Sequence, residues 1–250
     1  MTFKILFSNI GYAKGIDGSL KQHIAYFLRH LHTPHTVQER VLAQIKIIIN
    51  AENPDLCCFV EIDRGSFNAA GFNQISALTD TEYQYHDITD KYGPESALGR
   101  MPLHRGKSNG FLAKANIPFK RLYLSHGSKR LLYCLELPDN IRLFFAHFSL
   151  RKSIRLRQFQ ELRQLIKENK GEIIILADFN IMSGFRELDP LLYETDLKVI
   201  SKEDKPTFRF YRHHMVLDLC LCSQSLASRI DLKIIPQPFS DHAALSVSID

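Results

Sequence analysis

Apolar residues recur along this chain in two rhythms. The first is a set of short, nearly unbroken runs: "FKILFSNI" (3–10), "LCCFVEI" (56–62), "IRLFFAHF" (141–148), "IIILADFN" (173–180), "VLDLCLCS" (216–223) and "ALSVSI" (244–249). Runs of this kind suit strands buried on both faces. "EYQYHD" (82–87), "GFLAK" (110–114), "KRLLYCLEL" (129–137) and "LKII" (232–235) are further strand candidates. The second rhythm is helical. Val37, Val41, Ile45 and Ile48 are spaced for a helix over about 36–51, and Phe159, Leu162, Leu165 and Ile166 for one over about 154–169, with Gly171 near its C-terminal cap.

Breakers mark the joints. Ser19 can cap a helix running to about His32, which Pro34 closes; "NPD" (53–55) ends the next helix, and "PDN" (138–140) makes a hairpin turn. Residues 63–105 read as irregular, with one short helix, one strand and a long loop, and "ELDPLL" (187–192) reads as a short helix. Strands outnumber helices and many neighbours are hairpin-linked. The pattern predicts a mixed α/β architecture of large, mainly antiparallel sheets with helices outside. No linker divides residues 1–250, which read as a single domain.

The apolar runs share a second property: they end on polar groups. Asn9, Glu61 and His147 close three of them, Asp178 and Asn180 a fourth. Asp218 lies inside "VLDL", and Asp241 and His242 precede the last strand. Strand side chains alternate, so Asp178 and Asn180, two apart, leave the core on the same side. A buried carboxylate is costly unless it is paired or holds a metal. One such residue is unremarkable; the repetition predicts a shared polar site at the strand ends. Carboxylates suited to Mg²⁺ beside histidines suit hydrolysis of a phosphate ester.

Composition narrows the setting. Lys and Arg exceed Asp and Glu by 32 to 27, a formal net charge of +5, which fits an anionic substrate such as nucleic acid or a phosphate ester. Positive charge gathers at "RKSIRLR" (151–157), "FKR" (119–121) and "SKR" (128–130). The five cysteines, Cys57, Cys58, Cys134, Cys220 and Cys222, sit in apolar runs and form an odd set, as expected of reduced core residues in a cytoplasmic protein. They lack zinc-site spacing, and no cysteine accompanies the histidines at 30, 32, 35, 213 and 214. The N-terminal apolar run is too short for a secretory signal, and no stretch approaches the ~20 apolar residues of a membrane span.

The ordered series Asn9, Glu61, "GKSNGFLAK" (106–114), "AHFSL" (146–150), "ADFN" (177–180), "PTF...LDLCLCS" (206–223) and "SDH" (240–242) resembles the endonuclease/exonuclease/phosphatase superfamily, across nearly the whole chain. That resemblance implies a four-layer sandwich: two packed mixed, mainly antiparallel β-sheets flanked by helices. It also implies roles. Glu61 matches the principal Mg²⁺ ligand (Mn²⁺ substituting) and Asp241 a further carboxylate at the metal. Asn9 matches the first-strand amide beside the scissile phosphate, and Asp178 and Asn180 the pair that orients the attacking water and holds phosphate. His242 matches the histidine on the phosphoryl group, with Asp218 orienting it. His147 matches the second active-site histidine of the deoxyribonuclease and sphingomyelinase branches. Asn109 matches a cleft-lining amide, and Arg151, in the basic run, is a candidate for substrate binding.

Taken singly, His147 reads as a satisfied histidine at a strand edge, Asp218 as an ordinary buried acid and Ser-Asp-His as a loop cap. The sequence also departs from the family pattern. Ala177 replaces the usual Gly before the Asp-Phe-Asn, Gly11 stands where abasic-site enzymes have an acid, and His147 where they have a Tyr. Those changes argue against a dedicated abasic-site endonuclease. The expected activity is a phosphodiesterase, most simply a nuclease on DNA or RNA, using in-line attack of an activated water. The alternatives are a phosphomonoesterase on a small metabolite or lipid headgroup, and a non-catalytic binder on the same fold. Segments 12–36 and 87–109 lengthen the connections and are expected to rim the cleft and choose the substrate. Oligomeric state has no signature in the chain.

Overall fold

The structure is a computed structural model that describes residues 2–102, 104–169 and 171–250. The first half of the chain forms β1 (Phe3–Asn9), α1 (Leu20–Ala25), α2 (His35–Glu52), β2 (Leu56–Asp63), α3 (Gln74–Leu78), β3 (Tyr85–Asp90), α4 (Ala97–Arg100), β4 (Lys107–Ala113) and β5 (Phe119–Tyr123). It continues with β6 (Leu131–Leu137), β7 (Ile141–His147), α5 (Lys152–Lys167), β8 (Glu172–Asp178), α6 (Asp189–Leu192) and β9 (Leu197–Val199). The remaining strands are β10 (Phe208–Phe210), β11 (His213–Met215), β12 (Asp218–Ser223), β13 (Ile230–Ile235) and β14 (Ala244–Ile249).

Two six-stranded sheets carry the architecture, one in the order β13-β14-β1-β2-β4-β3 and the other β5-β6-β7-β8-β12-β9. Pairing is antiparallel except for β1 with β2 and β7 with β8, each joined by a crossover that carries a helix. The sheets pack face to face through Ile5, Phe7, Val60, Tyr133, Phe145, Leu176 and Leu245. The outer face of the first sheet is covered by Val41, Leu42, Ile45 and Ile49 of α2, and that of the second by Phe159, Leu162 and Ile166 of α5. This helix–sheet–sheet–helix order is the four-layer sandwich expected from the motifs. Because both faces of the central strands are covered, their sequences read as continuous apolar runs rather than alternating ones.

Several predicted boundaries shift. The helix expected over 19–32 ends at Ala25 and continues only as a 3₁₀ turn at Phe27–His30. The strand expected at 82–87 forms at Tyr85–Asp90, because Asp80 accepts the backbone N–H groups of Glu82 and Tyr83 in a turn. The long loop expected over 87–109 is shortened at both ends by β3 and β4, and its Leu103 lies outside the described residues. Strands β5, β9, β10 and β11 have no counterpart in the expected set; they are short or at sheet edges, where the apolar signal is weak. All five cysteines are buried and unpaired. Among the described residues no helix is long and apolar enough to cross a membrane.

Candidate active site

Strand register builds the floor of the site. In the parallel β7–β8 pair His147 stands opposite Asp178, and in the antiparallel β12–β8 pair Asp218 stands opposite the same Asp178. Three polar residues from chain positions far apart are thus abreast at one end of one sheet. From the facing sheet, the Asn9 side-chain amide donates to Asp178 Oδ2 at 3.0 Å. Asp178 Oδ2 also lies 3.1 Å from His147 Nε2 and 3.9 Å from His242 Nε2. Burial opposes ionisation of Asp178, but His147, His242 and Lys129 outweigh it and hold its carboxyl well below the usual range.

His242 is locked from behind. Its Nδ1 lies 2.7 Å from Asp218 Oδ2, and Thr207 Oγ1 accepts the backbone N–H groups of Leu217 and Asp218. Burial disfavours the imidazolium, yet the carboxylates of Asp218, Asp178 and Asp241 overcome it and raise the His242 pKa to about 10. Burial in turn pushes Asp218 up to about 6, against the pull of His242. At neutral pH the pair is a carboxylate holding an imidazolium, with Nε2 left free to face the site.

Glu61 is placed by a β-bulge. The β2–β4 register shifts between Phe59 and Ile62, and Glu61 takes a left-handed φ of +54°. That bulge re-aims the carboxylate into the cleft. The Glu61 backbone N–H donates to Asn109 Oδ1 at 3.4 Å, so Asn109 props the bulge with its side chain. Asn180 also has positive φ, 53°; its N–H donates to Asp178 Oδ1 at 3.2 Å and its side-chain amide to the Phe148 carbonyl at 3.0 Å. Asp241 is partly covered on the loop before β14; burial raises its pKa, and it senses the charges of His242, Glu61 and Asp178.

Two lysines that carried no motif complete the cluster. Lys91, from the loop after β3, is buried; its amine contacts the Tyr12 hydroxyl and lies 3.5 Å from Glu61 Oε1. Burial lowers its pKa to about 7 although Glu61 pulls it up. Lys129 contacts His147 Nε2, and burial lowers its pKa too. Burial and Lys129 bring His147 down to about 4, so its ring is neutral at pH 7. For Glu61, burial is outweighed by Lys91, His147, Lys129 and Lys14, which keep it ionised. Lys129 falls within the "SKR" run, but nothing in the sequence distinguished it from its neighbours. Lys91 sits in a loop without any pattern.

The remaining sequence candidate, Arg151, stays outside the buried cluster. It is exposed, precedes α5 without a side-chain capping bond, and lines a cleft of about 450 Å³ with Lys129 and Ser149. Within the same basic run Arg155 is fully buried: it pairs with Glu187 and donates to the carbonyls of Ser149 and Leu150 at 2.8 and 2.9 Å. The run is therefore not one solvated cationic face, because α5 turns Arg155 inward to hold the loop behind His147.

The donor set fits a divalent cation. Glu61 supplies an ionised carboxylate, and His147 Nδ1, 3.7 Å from Glu61 Oε1, is buried without a hydrogen-bond partner. His147 Nδ1 and the Glu61 oxygen thus face one another with no hydrogen bond between them, a gap a positive group would fill. Atoms of Asp178, Asp218 and His242 also lie within 4.8 Å of one another. That trio suits a cation less well, since the imidazolium proton on Nδ1 already occupies Asp218.

The whole chain superposes on solved structures of one architecture. An endonuclease/exonuclease/phosphatase family protein from Leptotrichia buccalis matches with a TM-score of 0.70 at 16% identity, over 99% of each chain. Truncated TDP2 of Caenorhabditis elegans matches at 0.64 and 14% identity, over 100% of this chain and 97% of that one. The chain has the endonuclease/exonuclease/phosphatase fold. The endonuclease domain of TRAS1, a telomere-specific non-LTR retrotransposon, matches at 0.62 and 14% identity, over 100% of this chain and 98% of that one. No protein-family model and no curated protein sequence matches the chain.

Proposed function

We propose that this protein is a divalent-metal-dependent phosphoric ester hydrolase, most simply a phosphodiesterase of nuclease type acting on DNA or RNA. The observation that carries the reading is Asp178 as a hub, with Asn9, His147 and His242 within 3.0, 3.1 and 3.9 Å of one of its oxygens. The endonuclease among the fold relatives and the basic charge balance support the nucleic-acid choice. Residues 1–250 are read as one catalytic domain. The five buried thiols favour a reducing compartment, as in the cytoplasm.

Glu61, with Asp241 as a second carboxylate, would hold the metal, Mg²⁺ or Mn²⁺. Bound there, it supplies Lewis-acid charge to a non-bridging phosphoryl oxygen. The chain's own groups account for the rest. Asp178, ionised and fixed by the Asn9 amide, orients a water for in-line attack. The His242 imidazolium, held by Asp218, presents Nε2–H to the negative charge that grows on the phosphoryl oxygens. Asn180 retains one amide N–H for phosphate after bonding Phe148. Lys91 and Lys129 add positive charge to the wall of the site, and Arg151 and Asn109 line the approach.

The test is a turnover panel with Mg²⁺ or Mn²⁺: plasmid DNA, RNA, bis-p-nitrophenyl phosphate and phosphate monoesters. Diester or polymer cleavage that disappears with chelator, with Glu61→Gln and with His242→Asn is the expected result. Turnover that survives in Glu61→Gln, or none on any substrate, would reject the reading. Cleavage of monoesters alone would replace it with a phosphomonoesterase.

A further inference from the structure

Residues 20–31 carry their amphipathic character inside out. Leu20, Ile24, Phe27, Leu28 and Leu31 are 51 to 73% exposed, and neither α1 nor the 3₁₀ turn after it buries any residue. A surface helix of a globular protein turns its apolar stripe inward. Here the segment is tied to the body by polar groups instead. The Arg29 guanidinium donates to the carbonyls of Lys14 and Gly15 at 3.0 and 3.2 Å, and the Asn68 amide to those of His30 and Leu31 at 3.2 and 2.7 Å. The His23 ring packs edge-on against Phe210 and Tyr211, 5.3 and 5.6 Å between centroids. These tethers fix the segment so that its aliphatic side chains point to solvent.

The charge around this ledge is mainly positive, with Asp17 just before α1 and Glu39 in α2 at its borders. Residues 18–38 contain no Asp or Glu but include Lys21 and Arg29. The adjoining β10–β11 hairpin adds Arg209 and Arg212, both exposed, and contains no acid. That hairpin links the ledge to the candidate active site: the Tyr211 N–H donates to the Gly18 carbonyl, the Arg209 N–H to the Asp241 carbonyl, both at 2.8 Å, and Phe208 is bridged to His242.

We infer that this ledge seats the protein on an anionic lipid surface, with the aliphatic side chains entering the headgroup–acyl boundary and the surrounding cations meeting lipid phosphates. Clustered Leu, Ile and Phe beside basic residues is the chemistry of interfacial lipid binding. The charge complementarity selects this occupant. A second copy of the same face would bring cations against cations. A nucleic acid would match the charge but give no apolar partner to Ile24, Leu28 and Leu31. The bound orientation places the His242 end of the cleft beside the bilayer.

The experiment is vesicle co-sedimentation of the full chain with phosphatidylcholine alone and with an equal mixture of phosphatidylcholine and phosphatidylserine. Binding is expected on the mixed vesicles, weakening with salt, and falling about ten-fold or more in the double variant Ile24→Glu, Leu28→Glu. Both residues are exposed, so the core is untouched; an unchanged thermal melt confirms folding. Ile47→Glu, which alters an exposed apolar residue of α2, is expected to bind like the parent. Glu61→Gln is expected to bind like the parent as well, which separates this inference from the hydrolase reading. No binding of the parent to mixed vesicles, or equal binding by the double variant, would overturn it. So would a dimer in solution, or retention by duplex DNA in place of vesicles, that the same two substitutions abolish.

Discussion

The Lys91 amine lies 3.5 Å from the Glu61 carboxylate and contacts the Tyr12 hydroxyl. Glu61 is aimed by a bulge; Lys91 arrives from a loop. Together they pair a buried amine with a half-buried carboxylate, the one proposed to hold a metal.

That pairing has two opposed consequences for Lys91→Met. Loss of the cation removes charge stabilisation, and kcat should fall by about 10²-fold. The same loss frees Glu61 of a competing positive charge, so Mn²⁺ should bind more tightly, which a metal titration by calorimetry reads directly. A variant with unchanged kcat and unchanged Mn²⁺ affinity would show Lys91 to be a structural filler.

Asp218 Oδ2 lies 2.7 Å from His242 Nδ1, and in the proposed mechanism it acts through that ring. Asp218→Asn keeps the shape but removes the charge that favours the imidazolium. Turnover of a phosphodiester should drop by roughly 10² to 10⁴-fold at saturating substrate, with KM little changed. The pKa of His242, followed by NMR of its ring protons, should fall from its raised value. An unmoved histidine would sink the assignment.

Arg155 and Glu187 form an ion pair with both side chains almost wholly buried. Removing one partner strands the other, so Glu187→Gln should cost about 3–5 kcal/mol. For a chain of this size that lowers the melting temperature by roughly 10 °C. Since Arg155 also grips the carbonyls behind His147, activity at low temperature should fall along with stability.

Acid sensitivity should trace partly to Glu52. Lys233 at 2.5 Å leads the groups that lower its pKa; burial opposes the shift, and Ser246 at 2.9 Å and Lys4 at 3.9 Å add to it. The folded pKa is thus below the unfolded value of about 4.3. The stabilisation is present above that value and is lost as pH falls through the folded pKa. The stability gap between parent and Glu52→Gln should therefore be widest near neutral pH and close in acid, as measured by urea unfolding across that range.

Much of this was legible from local pattern. The apolar runs marked the central strands, and the polar residues closing them marked one end of the sheets. What escaped was whatever lacked a local rhythm. The edge strands β5 and β9 are short and half-exposed, and the segment at 20–31 has helical spacing but folds as one helical turn and a 3₁₀ turn with its apolar side outward. A pattern rule assumes that apolar residues face inward, and there they do not.

By itself, the sequence determined which residues could share a site: Asn9, Glu61, His147, Asp178, Asn180, Asp218 and His242 each end or punctuate an apolar strand, and side-chain alternation sets the face they leave on. Only the tertiary structure decided that His147, Asp178 and Asp218 stand abreast, that a bulge turns Glu61 toward them, and that Lys91 and Lys129 close the ring. The reason is one of range. Alternation is a property of neighbouring residues, whereas register is fixed by strands distant in the chain competing for the same core, and a buried lysine is tolerated only where that packing has already gathered the carboxylates that pair with it.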